Sequence, residues 1–247
     1  YYSAVGRSCT VVLFDQGDAF RLYSNGLPEA VIERIGVQAL PEIARMLGML
    51  PGFLRPEARD LLSIGLGGGT VLEWIPSSIR SIEVIELEPQ VLAVNQKAAP
   101  ERAKDPLADP RVRVYLGDAR GMLQLTDKRW DAIVSQPSHP WTAGASHLYT
   151  REFFTLVRSH LKPDGVFVQW IGLAFVNATL LRSLVASLLE VFPHVSVFTP
   201  LSGAVLFAAS DAPIDPLATA GIALAAAPAD FARHGLHVPE DVLASWV

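Results

Sequence analysis

Residues 61–89 read LLSIGLGGGTVLEWIPSSIRSIEVIELEP. LLSI is a short apolar run that stops at a cluster of glycines, a helical stretch follows, and SIEVIEL is a second apolar run. Apolar runs of this length between turn signals read as strands buried on both faces, as in a parallel sheet. Gly65, Gly67 and Gly69 let the turn after the first strand fold tightly and approach a ligand closely; Gly68 completes the run. Glu86 ends the second strand, 21 residues after Gly65. At about that spacing a carboxylate holds a ribose diol in nucleotide-binding folds. Glycines alone also serve helix–strand packing, and a glutamate at a strand end is also simply solvated. Loop, strand and spacing together read as a nucleoside site.

The alternation continues outward. RVRVYL (111–116) precedes ARGMLQL (119–125), WDAIVS (130–135) precedes TREFFTLVRSHL (150–161), and GVFVQWI (165–171) precedes NATLLRSLVASLLEVF (177–192). HVSVFTP and AVLFAAS close the series with only a short turn at Leu201–Gly203 between them. That pair must be antiparallel, because a parallel crossover needs about a dozen residues or more. Five strand–helix units and a terminal hairpin describe an α/β, Rossmann-like, seven-stranded sheet of the AdoMet-dependent transferase type. An NAD-type reading fits less well, because the loop is GLGGGT rather than GxGxxG and no second nucleotide half follows. Asp118 ends the third strand, followed by Ala119. It reads either as an adenine contact or as the N-cap of the helix it precedes.

Before this unit, TVVLF, AFRLY and AVIERI read as three strands, with SNG (24–26) as a tight turn. PEIARMLGML reads as a helix with Pro41 at its first position, and PGFLRPEAR (51–59) as a linker. The expected organisation is a β-hairpin lobe and linker over 1–55, a Rossmann-like nucleoside-binding domain over 56–212, and a helical extension over 213–247.

Composition narrows the classes. Half of the 247 residues are hydrophobic and 18% are charged, so a sizeable core is expected and disorder is not. A net charge of −5 disfavours a nucleic-acid partner. One cysteine, Cys9, excludes an internal disulfide framework, and the six histidines show no metal-ligand spacing, so no metal is expected. No run of 18 apolar residues is present. The chain begins YYSAVG without methionine, which reads as part of something longer.

With these residues placed, the sequence resembles the spermidine synthase (polyamine aminopropyltransferase) family. The likeness runs from about Phe20 to Ser210 and rests, in order, on IGLGGGT, VIELEP, DPRVRVYLGDAR, WDAIVSQPS, LYTREFF and LKPDGVFVQW. It is strongest to the spermidine synthase-like domains often fused to membrane segments, whose loop typically reads SEPSNPW-x-AG where this chain reads SQPSHPWTAG. The resemblance implies decarboxylated AdoMet, or AdoMet, as co-substrate and a small-molecule amine as acceptor. It further implies a cytoplasmic protein or the cytoplasmic domain of a membrane protein, and it leaves room for a homodimer and for a membrane segment outside this chain. Gly65, Gly67, Gly68, Gly69, Glu86, Asp118, Ala119 and Ser135 are then the expected nucleoside-binding positions, with Ser135 at the family's catalytic aspartate position. Glu29, Gln136, Ser138 and Trp141 are the expected acceptor-side positions.

Departures from the family pattern cluster at the reacting end. The family's Gly-loop aspartate is Gly68, the two aspartates of the strand-end loop are Ser135 and Ser138, and a Tyr–Gln pair is Leu40 and Pro41. Glu29 stands where the family often has glutamine, and Gln136 where the membrane-fused group keeps glutamate. The stretch Ser135–Thr150 contains no acid. Its serines and Gln136 offer neutral hydrogen bonds, Trp141 a ring face or a packing contact, and His139 and His147 either bases or surface groups. Acids from the first lobe, Glu29, Glu33 and Glu42, are the available replacements if they face the cleft. Three functions therefore compete: aminopropyl transfer, AdoMet-dependent methyl transfer to a less cationic acceptor, and nucleoside binding without catalysis.

Overall fold

The computed structural model describes residues 1–37, 43–142, 144–174, 176–200, 203–233 and 235–247. The first lobe is a four-stranded antiparallel sheet of β1 (Tyr2–Val5), β2 (Thr10–Asp15), β3 (Ala19–Ser24) and β4 (Leu27–Glu33), paired in that order. Sequence reading finds three of these. YSAV is too short to announce itself and becomes a strand by pairing with β2, Tyr2 opposite Leu13 and Val5 opposite Thr10. Asn25 and Gly26, both at positive φ, make the β3–β4 turn, the backbone that Asn-Gly favours. Val11, Leu13, Phe20, Leu22 and Ile32 carry the lobe's buried face.

Helix α1 (Ile43–Leu54) follows. The expectation of a linker beginning at Pro51 is wrong for its first part: Pro51–Leu54 continue the helix. Proline removes one helical hydrogen bond, but Leu50, Phe53 and Leu54 are completely buried, at roughly 1.5–3 kcal/mol of transfer free energy each. Tertiary packing overrides the local signal. The expected helix start at Pro41, the comparison at Leu40 and the candidate acid Glu42 lie outside the described residues, as does most of the turn at 201–203.

The core is a seven-stranded sheet of β5 (Asp60–Ile64), β6 (Ser81–Glu86), β7 (Val112–Leu116), β8 (Trp130–Ser135), β9 (Leu161–Gly172), β10 (His194–Phe198) and β11 (Ala204–Ser210). Its order is β10-β11-β9-β8-β5-β6-β7. Strands β5 to β9 run parallel to their neighbours among themselves, and β11 is antiparallel to both β9 and β10. This is the expected seven-stranded sheet with its terminal antiparallel pair. One face, with Leu61, Val84, Val134 and Val168, packs against α1, α2 (Thr70–Glu73), α3 (Pro89–Ala98) and α7 (Pro216–Ala226). The other, with Leu62, Ile133, Phe167 and Phe207, packs against α4 (Ala119–Gln124), α5 (Arg151–Ser159) and α6 (Ala178–Leu189). Two short helices, α8 (Pro228–Ala232) and α9 (Pro239–Leu243), end the chain, and Phe231 of α8 packs edge-on against Phe53. Among the described residues no helix is long and apolar enough to cross a membrane.

The sheet reverses direction of growth between β5 and β8. Loops at the carboxyl ends of those two strands diverge there and leave a crevice, the usual ligand position in such sheets.

Candidate functional site

The glycine loop leaves β5 at this crevice. Gly65, Gly67 and Gly69 all have positive φ, which only glycine adopts freely. A Cβ at Gly65 would stand 2.9 Å from the Gln136 carbonyl oxygen, so the two diverging loops touch at their bases. Glu86 lies against the same loop. Its Oε2 accepts from the Leu66 N–H and its Oε1 from the Glu88 N–H, each at 2.8 Å. Burial raises its pKa, and these backbone donors oppose the rise. The carboxylate thus fixes the loop from the end of the neighbouring strand.

Asp118 follows β7 on the next strand over, where Gly117 N–H bonds the Glu86 carbonyl at 2.9 Å. Its Oδ2 accepts from Gly121 N–H at 2.6 Å, which caps α4, whose first residue, Ala119, is buried. The capping alternative is therefore realised. A carboxylate has further acceptor capacity, so the cap leaves room for a ligand contact. The Gly loop, Glu86 and Asp118 end three adjacent strands.

At Gly68 the lobe lies directly on the loop. A Cβ there would be 2.9 Å from Ala30 Cβ and 3.1 Å from Ile32 Cγ1. Thr70 Oγ1 also donates to the Val31 carbonyl at 3.1 Å. Strand β4 occupies the space that a side chain at position 68 would need. Beside this contact is a cavity of about 360 Å³, walled by Arg21, Tyr23, Pro28, Glu29 and Val31 from the lobe and by Ile43 and Ala44 of α1. Gly68, Thr70, Gln136 and Trp170 complete it from the core.

Glu29 is this wall's carboxylate. Ser138 Oγ donates to its Oε1 at 2.8 Å, and Tyr149 Oη donates to the Ser138 carbonyl at 3.0 Å. Burial pushes the Glu29 carboxyl up to about 7; the Ser138 bond opposes this, and the charge of Glu86 adds to it. Burial and then Glu29 push the Tyr149 hydroxyl upward as well. The loop without acids is thus served by an acid from the opposite lobe.

The other expected residues separate. Gln136 lines the cavity. Ser135 is completely enclosed, and its Oγ finds no partner among the described residues. It does not line the cavity. Gln169, its neighbour across β9, likewise leaves Oε1 unpartnered. Trp141 stands outside the cavity wall: its Nε1 donates to the Ala174 carbonyl at 3.2 Å and its ring stacks on His139 at 4.9 Å. His139 in turn leans on Trp170 at 5.5 Å, so Trp141 braces a cavity residue from behind. Burial lowers the His139 pKa. His147 is exposed. Glu33 pairs with Arg45 of α1. Among the described residues no three or more His, Cys, Asp or Glu side chains are placed to hold a metal ion.

Sequence reasoning missed Arg21, Tyr23, Trp170 and Tyr149. Two of these had a signal: in AFRLY, strand alternation sets Arg21 and Tyr23 on the face opposite Phe20 and Leu22.

Comparison with known proteins gives the following. The spermine/spermidine synthase domain matches residues 41–202. The polyamine aminopropyltransferase of Synechococcus sp. (strain JA-2-3B'a(2-13)) is 36% identical over 118 residues, covering 46% of this chain and 37% of that protein. The polyamine aminopropyltransferase of Bacillus subtilis (strain 168) is 26% identical over 180 residues, covering 70% of this chain and 64% of that one. The chain therefore spans less than two thirds of these curated relatives. A spermidine synthase solved in complex with the transition state analogue AdoDATO superposes with a TM-score of 0.76 at 21% identity, over 100% of this chain and 84% of that one. Spermidine synthase from Thermotoga maritima gives 0.70 at 22% identity, over 88% of this chain and 74% of that one. These structures share the fold, including the small antiparallel sheet ahead of the core.

Proposed function

This chain belongs to the spermine/spermidine synthase family, and on that premise we propose that it transfers an aminopropyl group from decarboxylated AdoMet to a small amine held at Glu29. The observation that carries the reading is the Glu29 carboxyl on the cavity wall, bonded to Ser138 and within electrostatic reach of Glu86. It joins an acceptor site to a nucleoside site.

In this reading the Gly65–Gly69 loop, Glu86 and Asp118 hold the nucleoside, with the aminopropyl chain directed into the cavity past Gly68 and Gln136. The acceptor nitrogen attacks the carbon next to the sulfonium. A C–N bond forms, the C–S bond breaks, and its electron pair stays on sulfur, releasing methylthioadenosine. The nitrogen then loses a proton. A carboxyl with a pKa near 7 is suited to receive it, because proton transfer is most effective when the catalytic pKa lies near the working pH. Ser138 orients that carboxyl by its hydrogen bond, and the Tyr149 bond to the Ser138 carbonyl fixes the serine. Ser135, sealed below, supports the loop without meeting substrate.

The test is methylthioadenosine release from decarboxylated AdoMet with putrescine and with monoamines. It is run beside titrations with AdoMet, decarboxylated AdoMet and methylthioadenosine. Release that depends on Glu29 supports transfer. S-adenosylhomocysteine formed from AdoMet would replace it with methyl transfer. Tight nucleoside binding without turnover of any amine would make the chain a nucleoside-binding domain.

A further inference from the structure

We infer that the acceptor is a zwitterion, an amine whose far end carries an anionic group, with Glu29 meeting the nitrogen and Arg21 meeting the anion. This rests on the transfer reading above and names its acceptor class. Among the described residues lining the cavity, Glu29 is the one carboxylate and Arg21 the one cation. The remaining wall is apolar or neutral, chiefly Tyr23, Val31, Ile43 and Trp170. A diamine would place one ammonium at Glu29 and leave the second facing an uncompensated guanidinium. Arg21 makes no ion pair among the described residues; its Nε donates to the neutral side chain of Gln16. Its charge is therefore available to a ligand. A guanidinium matches a carboxylate in shape as well as charge, through two parallel N–H donors.

The two charges sit on adjacent strands of the lobe. Arg21 belongs to β3, directly opposite Val31 of β4, and Glu29 lies two residues before Val31. They are thus diagonal neighbours on one face of the lobe, and the carboxylate is the one bonded across the cleft to Ser138 of the core. A ligand spanning them has its amine toward the reacting carbon and its anion away from it.

The experiment is calorimetric titration of the whole chain with 4-aminobutyrate, 6-aminohexanoate, butylamine and putrescine, each with and without methylthioadenosine. The better ω-amino acid is expected to bind about tenfold or more tighter than putrescine, with butylamine between them, from one added charge-assisted contact. Arg21→Gln should lower affinity for the amino acid about tenfold and leave butylamine unchanged. Arg21→Glu should reverse the ranking in favour of putrescine, a result that a merely misfolded variant would not give. Preference of the unaltered protein for putrescine, equal loss for every amine in Arg21→Gln, or binding of none of the four would overturn the inference. Failure to bind methylthioadenosine would count against the transfer reading instead, and the amine ranking would still be read from the arm without nucleoside.

Discussion

Ser138 and Glu29 meet across the cleft, the serine hydroxyl donating at 2.8 Å to a carboxylate that arrives from strand β4 of the other lobe. The loop after β8 has no acid of its own and acquires one through this contact. The bond favours the charged form of Glu29 and opposes its burial. It therefore lowers the pH at which the carboxylate becomes available, against the larger effect of burial.

Ser138→Ala should move the acidic limb of the pH–rate profile upward. In the unaltered protein the limb is expected near pH 7, where Glu29 ionises. Loss of the donor destabilises the carboxylate and raises that pKa further. Glu29→Gln should abolish the limb and lower turnover by roughly 10²–10⁴, the range for general-base help. Methylthioadenosine release measured from pH 5.5 to 9 decides it; an unmoved limb in Ser138→Ala would remove Glu29 from the reaction.

Glu29 also makes stability depend on pH. Its folded pKa of about 7 lies above the ordinary 4.5, so the folded state binds the proton more tightly than the unfolded one. Stability is then lost as pH rises from about 4.5 to about 7, and the loss is complete above that. The full shift corresponds to on the order of 3 kcal/mol. Glu29→Gln should remove this dependence, gaining on the parent at pH 8 relative to pH 4. Chemical denaturation at both values checks it, and an equal difference at the two pH values would contradict it.

Glu86→Ala should do two things together. It strands the Leu66 and Glu88 N–H groups, each worth about 1–3 kcal/mol when left unsatisfied in a buried place. It also removes the proposed ribose ligand. Glu86→Gln keeps one acceptor oxygen and should lose less stability. Calorimetric affinity for methylthioadenosine beside the thermal midpoint separates the effects. A folded Glu86→Ala with unchanged affinity would show that the carboxylate serves the loop alone.

Gly68→Asp, which restores the residue usual in the resembled family, should destabilise the chain by about 1–3 kcal/mol. The added Cβ meets Ala30 and Ile32, not solvent. Ala30→Gly in the same chain should recover most of the loss by clearing the nearer of the two contacts. Thermal or denaturant unfolding of the single and double variants reads the coupling, and simple additivity would show that the lobe yields without cost.

Much of this architecture was legible because it is written locally. Strand and helix alternate in short patterned runs, and the minimal connection between β10 and β11 forces an antiparallel pair. The glycine loop and Glu86 were legible by spacing. Features set by distant packing were not. PGFL signals a break but is held helical by contacts made far along the chain, and Tyr2–Val5 becomes a strand only through β2. Ser135 carries a family position in sequence, yet the structure encloses it. Glu29 was readable as a candidate, but its orientation toward Ser138, 109 residues away in sequence, depends on how the lobe docks. Arg21 and Trp170 reach the same cavity from different lobes, and no local pattern joins them.

The contact between Gly68 and Ala30 makes the order of mutational steps matter. A lineage that shed the loop acid could let the lobe settle onto the vacated space, and the methyl group of Ala30 then blocks the way back. Return is open if position 30 shrinks first, whereas the reverse order passes through a less stable ancestor. Two residues that belong to different lobes should therefore change together among relatives.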